Sequence, residues 1–250
     1  MNFKISILFL FFLGILAPGR LWATHNRAGE ITYEQIGDLT IRVTIVTYTR
    51  IQGAEVDRQQ LGLYWGDGQV DSLPRINGPL ARGEELLNNV KKNIYIGEHT
   101  YPGPATYTLV TLDPNRTAGI LNVDPPNSVN VPFALETTFT LLSTQFQGYN
   151  SSPRLLQPPI DYACLSERFI HNPNAFDPDG DSLAYELIVP LQGPDMEVPN
   201  YKFPNEISPG PENQIDINEI TGDFIWNAPQ RVGEYNIAIS IKEYRNGRLI

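Results

Sequence analysis

Apolar and polar residues alternate with a period of two along much of this chain. Leu39, Ile41, Val43 and Ile45 interleave with Thr40, Arg42 and Thr44, the pattern of a strand with one face packed and the other in water. Gly37-Asp38 ahead of this run supplies a tight turn, so residues 30–36 and 39–50 are expected as a hairpin. Further strands are expected around Tyr107, Leu109 and Thr111, over 133–142 and 183–189, and over 234–243, where Tyr235, Ile237, Ile239 and Ile241 share a face. Helical spacing is scarce, and its one candidate is a short helix over 83–91. With 21 prolines and 20 glycines punctuating the short apolar stretches, the expected fold is all-β, tandem antiparallel immunoglobulin-like β-sandwiches rather than an α/β sheet.

Two units are expected, 24–150 and 160–250. Between them Gly148-Tyr149-Asn150-Ser151-Ser152-Pro153 and Pro158-Pro159 carry linker chemistry. Residues 190–211 hold six prolines and no alternation, and long loops of this kind often bind ligands. Asn246-Gly247 reads as a hairpin turn whose second strand has barely begun at Ile250, so the chain is expected to be the front part of a longer protein.

The first residues change the picture of where this fold works. Lys4, an apolar run over 5–17 interrupted by Ser6 and Gly14, and Ala23 after Pro18 and Gly19 make a secretory signal over 1–23. The run is too short to span a bilayer. No second apolar stretch follows, so no membrane insertion is expected once the signal is cleaved. The mature chain then has 16 basic against 28 acidic residues, since Lys4 and Arg20 leave with the signal. That balance argues against nucleic acid, which requires a basic footprint, and suits a soluble or cation-binding exported protein. The single cysteine, Cys164, excludes an internal disulfide. Its neighbours Tyr162, Ala163 and Leu165 suggest a buried thiol.

Two motif sets carry chemistry. In the first unit, Leu63-Tyr64-Trp65-Gly66-Asp67-Gly68 is followed by His99-Thr100-Tyr101-Pro102-Gly103-Pro104-Ala105-Thr106-Tyr107. The pair, over about 28–123, resembles the PKD domain, which implies an immunoglobulin-like sandwich sealed by these aromatics. Asp67 and His99 are expected to serve structure, since a turn aspartate can bond its own backbone. In the second unit, Asp177-Pro178-Asp179-Gly180-Asp181-Ser182-Leu183-Ala184-Tyr185 places three aspartates at alternate positions around a glycine. Closely spaced carboxylates suit a hard cation such as Ca²⁺. An EF-hand is excluded, because the twelfth position from Asp177 is Ile188 rather than glutamate.

Thr221-Gly222-Asp223-Phe224-Ile225-Trp226-Asn227-Ala228-Pro229 and Gly233-Glu234-Tyr235 complete the second set. Over about 165–243 it resembles the cadherin-like or putative immunoglobulin modules of bacterial surface proteins. The resemblance adds Glu243 to Asp177, Asp179 and Asp181 as a metal ligand, with calcium as the cofactor. The other reading of the turn is a solvated Asx-rich loop. The opening Thr24-His25-Asn26-Arg27-Ala28-Gly29-Glu30-Ile31-Thr32-Tyr33 resembles exported proteins of gliding bacteria that end in a gliding-motility-associated C-terminal sorting domain. That likeness implies delivery to the cell surface by an export machinery reading a sorting domain outside this chain.

An enzyme needs a convergent site, and the common catalytic signatures are missing: no Gly-x-Ser-x-Gly, no His-Glu-x-x-His and no phosphate-cradling loop. His25, His99 and His171 lie far apart in sequence, and although Glu84 with Glu85, or Asp177 with Asp181, could be drawn as glycosidase carboxylates, that reaction needs two carboxyls at a set separation across a sugar cleft. The expected function is therefore a non-enzymatic adhesion or spacer segment, secreted or on the cell surface, with a surface glycan or protein as partner. The alternative is a carbohydrate-binding module using Trp65, Trp226 and the tyrosines, although their inward alternation favours core packing.

Overall fold

A computed structural model describes residues 26–51 and 58–250. The signal at 1–23 and His25 lie outside the described residues. The fold is all-β and built from antiparallel sheets.

Among the described residues the first eight strands are β1 (Asn26–Gln35), β2 (Thr40–Arg50), β3 (Gln60–Tyr64), β4 (Val70–Pro74), β5 (Glu84–Leu86), β6 (Val90–Thr100), β7 (Ala105–Asp113) and β8 (Phe133–Leu141). They form two sheets ordered β1-β2-β6-β5 and β4-β3-β7-β8. Ile41, Val43 and Ile45 from the first sheet and Leu63, Trp65 and Leu109 from around the second are fully buried in one cluster. Each such aliphatic side chain contributes about 1.5–3 kcal/mol by leaving water. The expected β1–β2 hairpin is present, with Gln35 paired to Ile41 across the turn.

The aromatic motif closes this core. Gly66 and Gly68 take positive φ angles of 86° and 92°, and a Cβ on Gly66 would stand 2.7 Å from the Thr108 carbonyl, so only glycine fits the turn. The Asp67 carboxylate accepts from the Gln69 amide at 3.0 Å and lies 2.7 Å from His99 Nε2. The His99 ring stacks on Trp65 at 4.8 Å, and the Tyr101 hydroxyl donates to the Trp65 carbonyl at 2.8 Å. Asp67 and His99 thus brace the turn against the core.

The expected helix over 83–91 is instead a hairpin. Asn88 and Asn89 both take φ of 59°, the left-handed pair of a tight reversal that asparagine tolerates better than most residues. Behind it Glu84 faces Lys92 and Glu85 faces Lys91 across β5 and β6, so the charges that look helical in sequence become cross-strand pairs.

The remaining elements are α1 (Thr144–Gln147), β9 (Arg154–Leu155), β10 (Phe169–His171), β11 (Ala175–Phe176), β12 (Ser182–Ile188), β13 (Leu191–Gly193), β14 (Met196–Glu197), α2 (Pro204–Ile207), β15 (Gln214–Ile217), β16 (Phe224–Asn227), β17 (Ala238–Arg245) and β18 (Arg248–Leu249). Their main sheets are ordered β10-β16-β15 and β12-β17-β18. Gly222 joins them: at φ 76° it lies under the Tyr185 ring, where a Cβ would come within 2.8 Å. Trp226 is buried and its indole N–H donates to Asn213 Oδ1 at 2.7 Å. Asn246 and Gly247, both at positive φ, turn β17 into β18 as expected. The strand expected from 234 begins only at Ala238, because residues 234–236 dock elsewhere. Cys164 is exposed rather than buried; its loop also leaves Tyr162 and Leu165 exposed, so the apolar neighbours do not mark a core.

The second set of sheets lies alongside β1. The Gln35 amide donates to the Asn150 carbonyl at 2.9 Å, the Ser152 amide to the Tyr33 carbonyl at 2.9 Å, and the Leu155 amide to Glu30 Oε2 at 2.9 Å. Residues 150–155 therefore cover the outer edge of β1. At the other end of β1, Arg27 pairs with Glu234, and buried Arg116 donates to the Pro132 and Leu191 carbonyls and to Asn236 Oδ1. The Asn122 side chain both accepts from the Asn236 amide and donates to its carbonyl, which imitates a strand partner. The proline-rich stretch 190–211 folds back on the first unit. Its β13 lies against β7 and β8, and Val198 packs with Ile120, Val123 and Val131.

Candidate metal centre

The aspartate-rich turn is shaped by its own backbone. Asp177 Oδ1 accepts from the amides of Asp179 and Asp181, both at 2.9 Å, and Gly180 at φ 84° permits the reversal. This leaves Asp177 Oδ2 without a turn amide of its own. On β17, Glu243 stands opposite Leu183 of β12, which brings its carboxyl over the turn. One carboxyl oxygen each from Asp177, Asp181 and Glu243 lies within 4.8 Å of the others.

Of the four residues expected from sequence, three converge. Asp179 points to the connector instead, its Oδ2 accepting from the Ser151 amide at 2.7 Å. Two residues that sequence reasoning did not include complete the surroundings. Arg245 donates from Nε to both Asp181 oxygens at 2.9 and 3.1 Å, and from Nη2 to Asn150 Oδ1 at 2.5 Å. Asn150 in turn donates to the Tyr33 hydroxyl of β1 at 2.6 Å. The signal for Arg245 was present, because it shares a strand face with Glu243 two residues earlier. Nothing local marks Asn150, which sits 93 positions upstream of Glu243.

Asp177 and Glu243 are only 7% and 6% exposed, and their Oδ2 and Oε1 atoms are buried without a hydrogen-bond partner. A buried, unsatisfied carboxyl oxygen costs free energy unless a proton or cation meets it. Burial, joined by the negative charges of Asp177 and Asp181, pushes the Glu243 carboxyl up to about 8 against a favourable contact from Asn150. Hydrogen bonding from Arg245, with its charge, holds Asp181 below its ordinary value despite burial. Without a metal, burial thus favours a proton on Glu243, while Arg245 favours the ionised form of Asp181. With one, the donor set is oxygen only, which suits Ca²⁺ or Mg²⁺ rather than zinc or copper. The residues present fit a hard divalent cation, with Asp177 Oδ2 and Glu243 Oε1 as the atoms that would gain most.

Among the described residues no helix is long and apolar enough to cross a membrane. Comparison with protein-family models, with characterised proteins and with solved structures gives no match for this chain.

Proposed function

We propose that this chain is a non-enzymatic, exported surface segment in which Ca²⁺ bound by Asp177, Asp181 and Glu243 locks two immunoglobulin-like sandwiches, one PKD-like and one cadherin-like, into a single block. The observation that carries this reading is the pair of orphaned buried oxygens, Asp177 Oδ2 and Glu243 Oε1, in a cluster wired through Asn150 to Tyr33 of β1. An ion there would satisfy both oxygens and fix the connector between the units. The signal over 1–23 supports a secreted or cell-surface location. The side-by-side contacts along β1 favour a compact adhesive or scaffolding block over a long spacer. A sugar-stacking role draws no support from Trp65 and Trp226, both of which are buried.

The test is calorimetric Ca²⁺ titration of residues 24–250, with thermal melting in Ca²⁺ and in chelator. Saturable binding and a raised melting point, both lost in Asp177→Asn and Asp181→Ala, are the expected results. Asp179→Ala should keep most of the affinity, since Asp179 faces Ser151. Absent binding with identical melts would sink the metal reading and leave a cation-independent block.

A further inference from the structure

Both oxygens of Asp181 are already engaged. Arg245 grips them through Nε at 2.9 and 3.1 Å and reaches Oδ2 again through Nη2. The same guanidinium spans to Asn150 Oδ1 at 2.5 Å and to the Tyr149 carbonyl at 3.4 Å, and passes 4.0 Å from Asp179. A planar fork held by a carboxylate and a carbonyl-type oxygen is a well-matched arrangement for arginine. Asp181 is 7% exposed at the inner end of this contact, while the Arg245 side chain is 20% exposed, so the guanidinium has a route to solvent that the carboxylate lacks.

A hard divalent ion takes six or more oxygens. Asp177 Oδ2 and Glu243 Oε1 are buried without a hydrogen-bond partner, but Asp181 can contribute only by giving up part of the guanidinium. An ion seated in the trio would also stand close to a fixed positive charge, and that repulsion is strong where water is excluded. We propose that Arg245 is the resident cation of this pocket, neutralising Asp181 and holding Asn150 when no metal does, so that a divalent ion binds by displacing it. The inference rests on the cation-site reading above. It gives the junction two mutually exclusive clamps, one built into β17 and one drawn from the medium, and predicts that the built-in clamp weakens the other.

Arg245→Gln removes the charge and keeps polar reach. In calorimetry with CaCl₂ its affinity should exceed that of the unsubstituted chain by at least about tenfold. Its melting point should be lower in chelator and should approach that of the unsubstituted chain at saturating Ca²⁺. Arg245→Lys, which keeps the charge without the fork, should bind within about threefold of the original. If Arg245→Gln is unfolded in chelator, Ca²⁺ should refold it, as read by circular dichroism; a chain still unfolded at saturating ion would overturn the proposal. So would affinity in Arg245→Gln equal to or weaker than that of the unsubstituted chain. No saturable binding by any of the three proteins would instead sink the cation site itself.

Discussion

Arg116 offers a direct test of how the two sets of sheets are joined. It is 2% exposed, its guanidinium lies 5.2 Å over the Phe133 ring, and its three hydrogen-bond acceptors are all uncharged. Burial alone pulls its pKa from 12.5 to about 10. At about 1.36 kcal/mol for each factor of ten, keeping this charge buried opposes folding by a few kcal/mol, on the order of that shift. Arg116→Met keeps the bulk and removes that cost, but strips donors from the Pro132 and Leu191 carbonyls and from Asn236 Oδ1. Each buried acceptor left unsatisfied costs about 1–3 kcal/mol, or about 6 kcal/mol for three at the middle of that range. At that midpoint the lost acceptors outweigh the recovered desolvation, a net loss on the order of a few kcal/mol against the 5–15 kcal/mol typical of a domain. Because the lost bonds tie 116 to 191 and 236, the loss should fall on the junction. In residues 24–250, Trp226→Phe leaves Trp65 as the reporter of the first unit, and Trp65→Phe leaves Trp226 for the second. Urea transitions seen by the two should coincide with Arg116 present and separate in Arg116→Met. Coincident transitions with a loss below about 1 kcal/mol, or a gain of the kind seen when buried ionic groups are replaced by apolar ones, would refute the reasoning.

Three other outcomes follow from the same contacts. In chelator, the raised carboxyl of Glu243 keeps its proton in the folded state across a range where the unfolded chain has lost it. Stability from this group is thus present in acid and lost as pH rises toward about 8, and Glu243→Gln should flatten melting curves between pH 5 and pH 9, on the order of that range. Asp67→Ala removes the acceptor of the Gln69 amide and of His99; a loss of about 1–3 kcal/mol in urea unfolding is expected, and no loss would show the turn to be held by its glycines alone. Exposed Cys164 should take up one maleimide per chain in native buffer at nearly the rate of the urea-unfolded protein.

The strands that were legible in the sequence are those whose packing is local. Ile41, Val43 and Ile45 alternate inward with no exposure, and Asn246-Gly247 turns where a left-handed pair is needed. The misread elements depend on partners far along the chain. Residues 83–91 have helical composition, but Val90 is buried and Glu84 and Glu85 stand in register opposite Lys92 and Lys91, so tertiary pairing overrides propensity. Residues 234–237 alternate like a strand, yet Asn236 finds its backbone partner in the Asn122 side chain, 114 residues upstream. The acidic cluster was half legible for the same reason. The turn aspartates advertise themselves by spacing, whereas Glu243, Arg245 and Asn150 reach it through strand register and the connector, and only a family likeness had suggested Glu243.

The covered edge of β1 also sets how the molecule bears load. Asn26 lies at one end of β1, beside the Arg116 and Glu234 contacts, while Arg245 meets Asn150 and Tyr33 toward the other. A pull applied at Asn26 in the direction of β1 would load that strand lengthwise. Its ladder with β2, paired from Asn26 to Gln35, is then strained in shear, with many hydrogen bonds resisting together instead of opening one after another like a zipper. Loaded in that direction, the edge formed by β1 would give way only when the whole ladder fails at once.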